Sequence, residues 1–476
     1  MSESNSTSLP ATPSLLQSLL CFGGNFLLIA IGMFLWGISL HSILFLCLLW
    51  TGLHTRWLGH DYLAIRSMMS EGVSKALPAI FIFLLIGMLI AAYMQSGTVP
   101  ALIYHGLDLL SPALFLPAAL VLCSIMSVAT GTSWGTAGTM GVVLIGIGEA
   151  MGIPLPMVAA AVVSGATFGD KLSPISDTTN LAAMSAGTTL YRHIHSMLYT
   201  TVPAFVLSLI LFSLIGLGLT DDQLPVTDIA PLQSALAGSY RLGLVLTLLP
   251  LLLMLVLSLR RVAAEISMSA SLLTAVLVAV FYQGSDPVSV LNSLWSNTPG
   301  TTGIESLDSL LGRGGMFSMS WTLLLSLMAL ALGGMLFAAG FLQALLSGLI
   351  QRLRRTSSLI ASTIGAGIIG NMGMGEAYIS IILNCQLFRK LYEEKGLDNA
   401  VLSRSVEEGA TMSTGLIPWT TAGAFYSATL GVAVIDYLPY AFLNYLNPLI
   451  SISMAALGLG LLQGHVGKGA LIRQGQ

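Results

Sequence analysis

Long, nearly uncharged stretches recur along this chain of 476 residues and confine it to a membrane-spanning fold. Clear examples are Ala76 to Tyr93, Val202 to Leu219, Leu242 to Leu259 and Trp321 to Phe341. Each is close to the ~20 residues that a helix needs to cross a bilayer. Charged residues make up 8% of the chain, against roughly 25% in ordinary soluble proteins. The sequence therefore predicts an all-α polytopic membrane protein with about 11–14 membrane segments.

Net charge and cysteine placement exclude other classes of protein. The formal net charge is −3, and no polybasic segment of the kind that binds nucleic acid is present. The four cysteines lie in apolar stretches without a Cys-x-x-Cys pair, so we expect buried thiols rather than disulfides or a metal centre. No cofactor is predicted.

Similar segments recur in both halves of the chain in the same order, which indicates an internal duplication. The matched segments are 87–92 (GMLIAA) with 334–339 (GMLFAA), 165–167 with 409–411, and 177–179 with 419–421, at offsets of 247, 244 and 242 residues. The glycine-rich segments 131–138 and 370–375 recur at a similar offset. The predicted units are a polar tail (1–14), a first transmembrane repeat (15–219), an acidic extracytoplasmic linker (220–238), a second repeat (239–463) and a cytoplasmic tail (464–476).

Basic residues orient these repeats, because Lys and Arg accumulate in cytoplasmic loops. The segments 96–111, 220–238 and 284–312 contain neither residue and should face outward. Cytoplasmic positions are marked by Arg56, Arg66, Lys75, Arg192, Arg260, Arg261, Arg352, Arg354, Arg355, Arg389, Lys390, Lys395, Lys468 and Arg473. This arrangement requires an odd number of crossings per half and cytoplasmic termini. Two such repeats have inverted topologies, as in many secondary transporters.

Polar segments interrupt the apolar pattern where helices should be crossing the membrane. They cover residues 129–141, 164–182, 370–380 and 408–423, and their glycines and prolines predict broken helices and re-entrant hairpins. Opened backbone is tolerated in a bilayer only inside protein or beside a watery cavity. Hydroxyls and freed carbonyls are hard oxygen ligands suited to a small cation. The hydroxyl candidates are Thr132, Ser133, Thr136, Ser173, Ser176, Thr178, Thr179, Thr420 and Thr421.

Two intramembrane acids, Asp170 and Asp177, strengthen this interpretation. A carboxylate near the bilayer centre costs about 2.5–3.5 kcal/mol on insertion scales, so it needs a role there. Burial favours the protonated carboxyl and a bound cation favours the ionised one, so both acids could exchange a proton for a sodium ion. Alternatives are an Asp170–Lys171 salt bridge, a membrane-edge position for Asp170, and a helix cap at Asp177. Lys171 could also be a structural counter-ion or bind a substrate carboxylate.

The second half contains three further acids in or beside its polar segments. Glu376 follows a run of glycines and methionines and is a candidate site or relay residue. The neighbouring acids Glu407 and Glu408 follow Arg404, and we interpret them as an interfacial face paired with that arginine.

Gly131, Ser133 and Gly135 have the spacing of a nucleophile elbow, which raises the alternative of a serine hydrolase. An elbow requires a strand before it and a histidine base within reach. All seven histidines are expected at helix ends or in loops. The chain is therefore not expected to be an enzyme.

The polar segments resemble the NhaC family of sodium/proton antiporters, within the Ion Transporter superfamily. The resemblance rests on GTSWGTAGT (131–139), SGATFGDKLSPISDTTNLA (164–182), LSRSVEEGAT (402–411) and GLIPWTTAGA (415–424). It implies a multi-pass exchanger of the bacterial inner membrane that moves Na+, with Li+ a second candidate, against H+. The ion site implied in the first half is Thr132, Ser133, Thr136, Asp170, Ser173, Asp177, Thr178, Thr179 and Asn180.

The second half departs from the family pattern at Thr420, where Asn is common, and at Glu376, where Asp is common. These departures leave open an exchanger of small organic acids or amino acids, of the malate/lactate type, coupled to Na+ or H+. A homodimer is also left open.

Overall fold

The computed structural model describes residues 11–74, 77–109, 111–219, 229–350 and 355–462, and the described chain is helical throughout. No β-strand occurs among these residues, so the predicted all-α class is confirmed. The helices of the first half are α1 (Leu15–Ala30), α2 (Leu40–Trp57), α3 (Tyr62–Ser74), α4 (Leu77–Gln95), α5 (Thr98–Leu109), α6 (Pro112–Thr130), α7 (Ser133–Thr136), α8 (Val142–Ala150), α9 (Leu155–Leu172), α10 (Asp177–Ala186) and α11 (Leu190–Gly218).

The second half continues in the same manner. Its helices are α12 (Ile229–Ser239), α13 (Leu244–Leu259), α14 (Ala264–Leu277), α15 (Pro287–Ser293), α16 (Glu305–Leu311), α17 (Ser320–Ala338), α18 (Phe341–Ile350), α19 (Thr356–Met374), α20 (Ala377–Glu394), α21 (Asn399–Thr414), α22 (Thr421–Leu430), α23 (Val434–Tyr437) and α24 (Phe442–Ala456). Short π-helical segments extend α1 and α14 and join α7 to α8.

Five helical spans in the described residues are long and apolar enough to cross a membrane by themselves. Two further spans arise if bent helix pairs are counted, α4 with α5 at 66° and α12 with α13 at 86°. The chain is thus a polytopic membrane protein. The predicted 11–14 segments would include shorter and more polar helices as well, and that number stays a prediction.

Helix breaks recur in the two halves at a constant offset of 244 residues. Gly131 ends α6 with a φ of 70°, and Gly375 ends α19 with a φ of 66°. Both are left-handed conformations that glycine adopts without a steric cost. The next break in each half is followed by a hydroxyl N-cap, Ser176 before α10 and Thr420 before α22. In this register Asp177 corresponds to Thr421, two residues from the sequence match, because the capping side chain fixes where each helix begins.

Two equivalent glycines bring equivalent helices into close contact. A Cβ atom at Gly165 of α9 would lie 2.4 Å from the carbonyl oxygen of Leu120 in α6. A Cβ atom at Gly409 of α21 would lie 2.3 Å from the carbonyl oxygen of Ile364 in α19. Small residues permit such close helix crossings in membrane proteins. The α6–α9 and α19–α21 pairs therefore pack in the same way, with a glycine of one helix against a backbone carbonyl of the other.

Helices of the two halves also pack against each other, so the core is shared between them. The helix α17 packs against α2 and α3, α14 against α4, and α10 against α20 and α21. One such contact brings Gly72 of α3 against Gly334 of α17, where a Cβ atom on Gly72 would lie 2.8 Å from Cα of Gly334. The cavity described below is bounded by both halves as a result.

Parts of the predicted units differ from expectation or fall outside the described residues. Residues 1–10 of the N-terminal tail, 220–228 of the linker and the C-terminal tail 464–476 are outside them. The described remainder of the linker is helical in α12, where the side chains of Leu232 and Leu236 are buried one turn apart. All four cysteines are buried free thiols, as predicted.

Candidate functional site

The helix breaks of both halves meet around one internal cavity of about 600 Å³. It is lined by residues at the α6–α7, α9–α10, α19–α20 and α21–α22 breaks, together with the short loop before α14. Hydroxyl and carboxyl side chains at these breaks line the same space. The charged residues that line it are Asp170, Asp177, Arg261, Glu265 and Glu376.

Asp170 is a buried acid of the cavity wall, and both of its carboxylate oxygens are hydrogen-bonded. Its side chain is 8% exposed, near the C-terminal end of α9. One carboxylate oxygen accepts a hydrogen bond from Oγ of Ser133 at 2.7 Å, and the other accepts from Oγ of Ser176 at 2.6 Å. Because the two donors come from two different breaks, Asp170 joins them. Hydrogen bonds to both oxygens stabilise the ionised carboxylate.

Glu376 is the buried cavity acid of the second half, and at the offset of 244 residues it corresponds to Thr132, the N-cap of α7, rather than to Asp170. It is the N-cap of α20, and its Oε1 accepts from the backbone N–H of Ala377 at 2.9 Å. Its Oε2 accepts from the hydroxyl of Thr421 at 2.6 Å, and the side chain is 4% exposed. Glu376 thus ties the α19–α20 break to the α21–α22 break.

The open side of the cavity carries charges of both signs. Asp177, in the first turn of α10, is exposed and lines the cavity beside Thr178. Arg261 and Glu265 face the same space from the loop before α14 and from its first turn. Arg261 adopts a φ of 60°, an uncommon left-handed conformation for a residue with a side chain. Sequence patterns assigned Arg261 only to a loop, so its place at the cavity was missed.

The twelve predicted site residues divide into two groups. Seven line the cavity: Thr132, Ser133, Asp170, Asp177, Thr178, Glu376 and Thr421. The other five are not part of its lining, and their side chains donate to backbone carbonyls near the breaks. These are Thr136 to Thr132 at 2.9 Å, Ser173 to Val128 at 2.8 Å, Thr179 to Asp170 at 3.1 Å, Asn180 to Ser176 at 2.7 Å, and Thr420 to Ile417 at 2.8 Å.

The surroundings of Ser133 do not resemble a hydrolase site. Its hydroxyl donates to Asp170, and it follows a helix break rather than a strand. No histidine is among the residues that line the described cavity. His193 lies in the first turn of α11, a helix end as expected, but its side chain is fully buried there.

The interpretation of Glu407 and Glu408 as an interfacial face was also wrong. Both side chains are fully buried, because α21 is surrounded by other helices from Ala400 to Ser413. The predicted pairing with Arg404 is present, at 3.8 Å from Nε to Oε1 of Glu408. Charge counting along the sequence detected the acids but not the helices that cover them.

Lys171 is fully buried and turns away from its neighbour Asp170. Its Nζ donates to the side-chain oxygen of Asn447 in α24 at 2.9 Å. The alternative of an Asp170–Lys171 salt bridge was therefore wrong, and Asp170 remains available at the cavity wall.

Broken helices around a polar cavity inside an apolar bundle are typical of membrane transporters for ions and small solutes. The chain belongs to the Na+/H+ antiporter family, whose model matches residues 3–187 and, in a second match, residues 165–459. It is 39% identical over 445 residues to the Na+/H+ antiporter NhaC of Alkalihalophilus pseudofirmus, covering 93% of this chain and 96% of that protein.

Two other relatives are antiporters of different solutes. The malate-2H+/Na+-lactate antiporter of Bacillus subtilis is 35% identical, with 86% of both chains covered. The arginine/ornithine antiporter ArcD of Halobacterium salinarum is 34% identical, with 94% of this chain and 92% of that protein covered. Membership of the family is therefore compatible with more than one transported solute.

Proposed function

We propose that this protein is a secondary active transporter that exchanges Na+ for H+ across the membrane. The observation that carries the proposal is Asp170, a buried carboxylate held at the point where two helix breaks meet a cavity. The family and its NhaC relative support Na+ and H+ as the exchanged ions. Li+ is a second ion that the same oxygen ligands could hold.

Exchange follows when cation binding and protonation exclude each other. Asp170 and the exposed Asp177 offer carboxylate oxygens, and Thr132, Ser133 and Thr178 offer hydroxyls at the same cavity. A bound Na+ favours the ionised carboxylates, whereas removing the cation leaves buried negative charge that favours proton uptake. The site therefore changes its access from one side of the membrane to the other with either Na+ or H+ bound.

We further propose a bacterial inner-membrane location with both termini cytoplasmic and two inverted repeats. The matched breaks at Gly131 and Gly375 support duplication, and the distribution of Lys and Arg supports the orientation. The loop containing Arg260 and Arg261 would then be cytoplasmic. Because that loop lines the open side of the cavity, the described conformation would face inward. A homodimer stays a prediction.

A second candidate is Na+- or H+-coupled exchange of a small organic acid or amino acid. The cavity volume of about 600 Å³ exceeds the space that a single cation requires, and Arg261 places a guanidinium in its wall. An arginine is suited to bind a carboxylate through two hydrogen bonds. The malate/lactate and arginine/ornithine relatives also support this candidate.

The test is a dequenching assay of proton movement in everted vesicles. Na+, Li+, K+, malate, lactate and arginine are added in turn to the native protein and to Asp170→Asn. Dequenching by Na+ alone, lost in D170N, supports the simple exchanger. Dequenching that requires an organic solute supports the second candidate, and a D170N variant with the native rate would contradict both.

A further inference from the structure

A buried imidazole–carboxylate pair lies behind the cavity wall, outside the exchange site proposed above. His193 of α11 and Glu407 of α21 both have fully buried side chains. Nε2 of His193 lies 3.0 Å from Oε2 of Glu407, and Nδ1 lies 2.7 Å from Oγ of Ser403. A buried ionisable pair inside a membrane helix bundle is costly and calls for a function.

Hydrogen bonding at this pair places one proton between its two members. The Ser403 hydroxyl donates to the carbonyl of Ala400 at 3.1 Å, so its oxygen accepts from Nδ1 of His193. Nε2 then either accepts from a protonated Glu407 or carries a second hydrogen that faces an ionised Glu407. Each arrangement contains one proton more than the state in which an unprotonated Nε2 of His193 faces an ionised Glu407. The contact between Nε2 and Oε2 is therefore a place for a single proton.

The second oxygen of Glu407 approaches the cavity wall. Oε1 lies 3.4 Å from the hydroxyl of Thr179 and 3.5 Å from that of Thr411. Thr411 lines the cavity, and Thr179 donates to the backbone carbonyl of Asp170 at 3.1 Å. One layer of side chains thus separates the pair from the cavity.

The buried charged groups around the pair contain one more carboxylate than cations. Within the described chain, Glu407 interacts electrostatically with Asp170, Lys171 and Cys385. Lys171 in turn interacts with Arg404 and Glu408, which pair with each other. When Glu407 is included, two cations face three carboxylates. One proton or one monovalent cation neutralises the group, and uncompensated buried charge is strongly unfavourable.

We propose that the exchanged proton is held by the His193–Glu407 pair while Asp170 binds the cation. This inference rests on the proposed exchange function and names its proton site. A sodium ion at Asp170 supplies the positive charge that the group lacks, and the hydrogen between Nε2 and Oε2 is released to water. When the cation leaves, the pair takes up a proton again. The two ions then compete through charge without sharing an atom.

The test is calorimetric titration of Na+ into the purified, detergent-solubilised full-length protein at a series of pH values. With one competing proton, the apparent Kd of the native protein rises about tenfold for each pH unit on the acidic side. His193→Gln and Glu407→Gln should each reduce that change to less than about twofold. His195→Gln is the matched control, because His195 is an exposed histidine two positions further along α11, and it should keep the native slope.

A tenfold slope in monodisperse H193Q or E407Q would overturn the inference and place the proton on Asp170, leaving the proposed function intact. Since the two residues lie on different helices, one well-folded variant is sufficient to decide. Failure of the native protein both to bind Na+ and to move protons in response to it would instead overturn the proposed function, and this inference with it.

Discussion

The two helix breaks of the first half and the two of the second half have the same backbone conformation and caps. Their acidic side chains lie at different positions. Each has a left-handed glycine, Gly131 or Gly375, and each has a hydroxyl cap, Ser176 or Thr420. The acid, however, lies within α9 in the first half and at the N-cap of α20 in the second.

The two halves therefore have the same helix packing at these breaks but different acidic side chains. Asp170 accepts from the hydroxyls of Ser133 and Ser176, both outside α9, and its own side chain does not cap the helix that contains it. Glu376 uses one oxygen to cap a helix, which leaves less of it for an ion. We therefore expect the first-half acid to dominate exchange and the second-half acid to combine exchange with structure.

The largest expected effect is that of Asp170→Asn. Losing a charged ligand with two hydroxyl donors should cost about 3 kcal/mol, or at least about a 100-fold slower Na+-dependent proton flux. The flux is measured in proteoliposomes at matched protein density. Asp436→Asn, at an exposed aspartate of α23, is the control and should be unchanged. Native flux in D170N would remove the proposed asymmetry between the halves.

Substitution of the two equivalent glycines should destabilise the protein to a similar extent. Gly165→Ala and Gly409→Ala each place a Cβ atom against a backbone carbonyl at under 2.5 Å, and overpacking of this kind costs about 1–3 kcal/mol. Thermal unfolding in detergent measures the loss. The control is Gly365→Ala, where a Cβ atom meets nothing within 4 Å. If only one of the two substitutions lowered the thermal stability, the conclusion that both helix pairs pack in the same way would be refuted.

Glu376→Gln should have an intermediate effect, about a tenfold reduction of exchange with little change in thermal stability. Glutamine retains an oxygen that can accept from the N–H of Ala377, so the start of α20 is preserved while the charge is lost. Comparison with Glu376→Ala separates the two roles, since alanine removes the cap as well. A Glu376→Gln variant as inactive as Asp170→Asn would indicate that both acids bind the ion equally.

The smallest expected effect concerns Asp308 of the short helix α16, which lies outside both pairs of breaks. A hydrogen bond from the Thr302 hydroxyl, then those from the backbone N–H groups of Thr302 and Gly303, lower the pKa of this carboxyl. Its stabilising effect is therefore present above the ordinary carboxyl pKa and is lost as the pH falls through the lowered value. Acidification should lower the protection factors of the Thr302 and Gly303 amides, measured relative to the intrinsic exchange rate at each pH.

In Asp308→Asn, the protection of these two amides should already be lower at neutral pH, and acidification should change it less. Sodium-dependent proton flux should stay native. A change of flux in this variant would show that α16 is coupled to the cavity, contrary to its separation from both pairs of breaks.

Much of the candidate site was predictable because membrane burial restricts where polar residues occur. Asp170, Glu376 and the hydroxyls around them stand out from apolar flanks, and glycines mark the breaks. The role of Thr179 and Asn180 was not predictable, since a hydroxyl or amide beside a break can face either an ion or a freed carbonyl. His193 was missed because its neighbours Tyr191 and Arg192 are typical of a helix end, while its partner Glu407 lies 214 residues away.

The sequence by itself determined a helical membrane protein, the positions of its breaks and the acids available for exchange, because hydropathy, glycine conformation and the cost of buried charge act locally. Only the tertiary structure decided which hydroxyls surround Asp170, that Lys171 turns to Asn447, and that Glu407 is sealed against His193. These contacts join helices far apart in the chain, and their geometry depends on how closely glycines such as Gly165 and Gly409 let those helices approach.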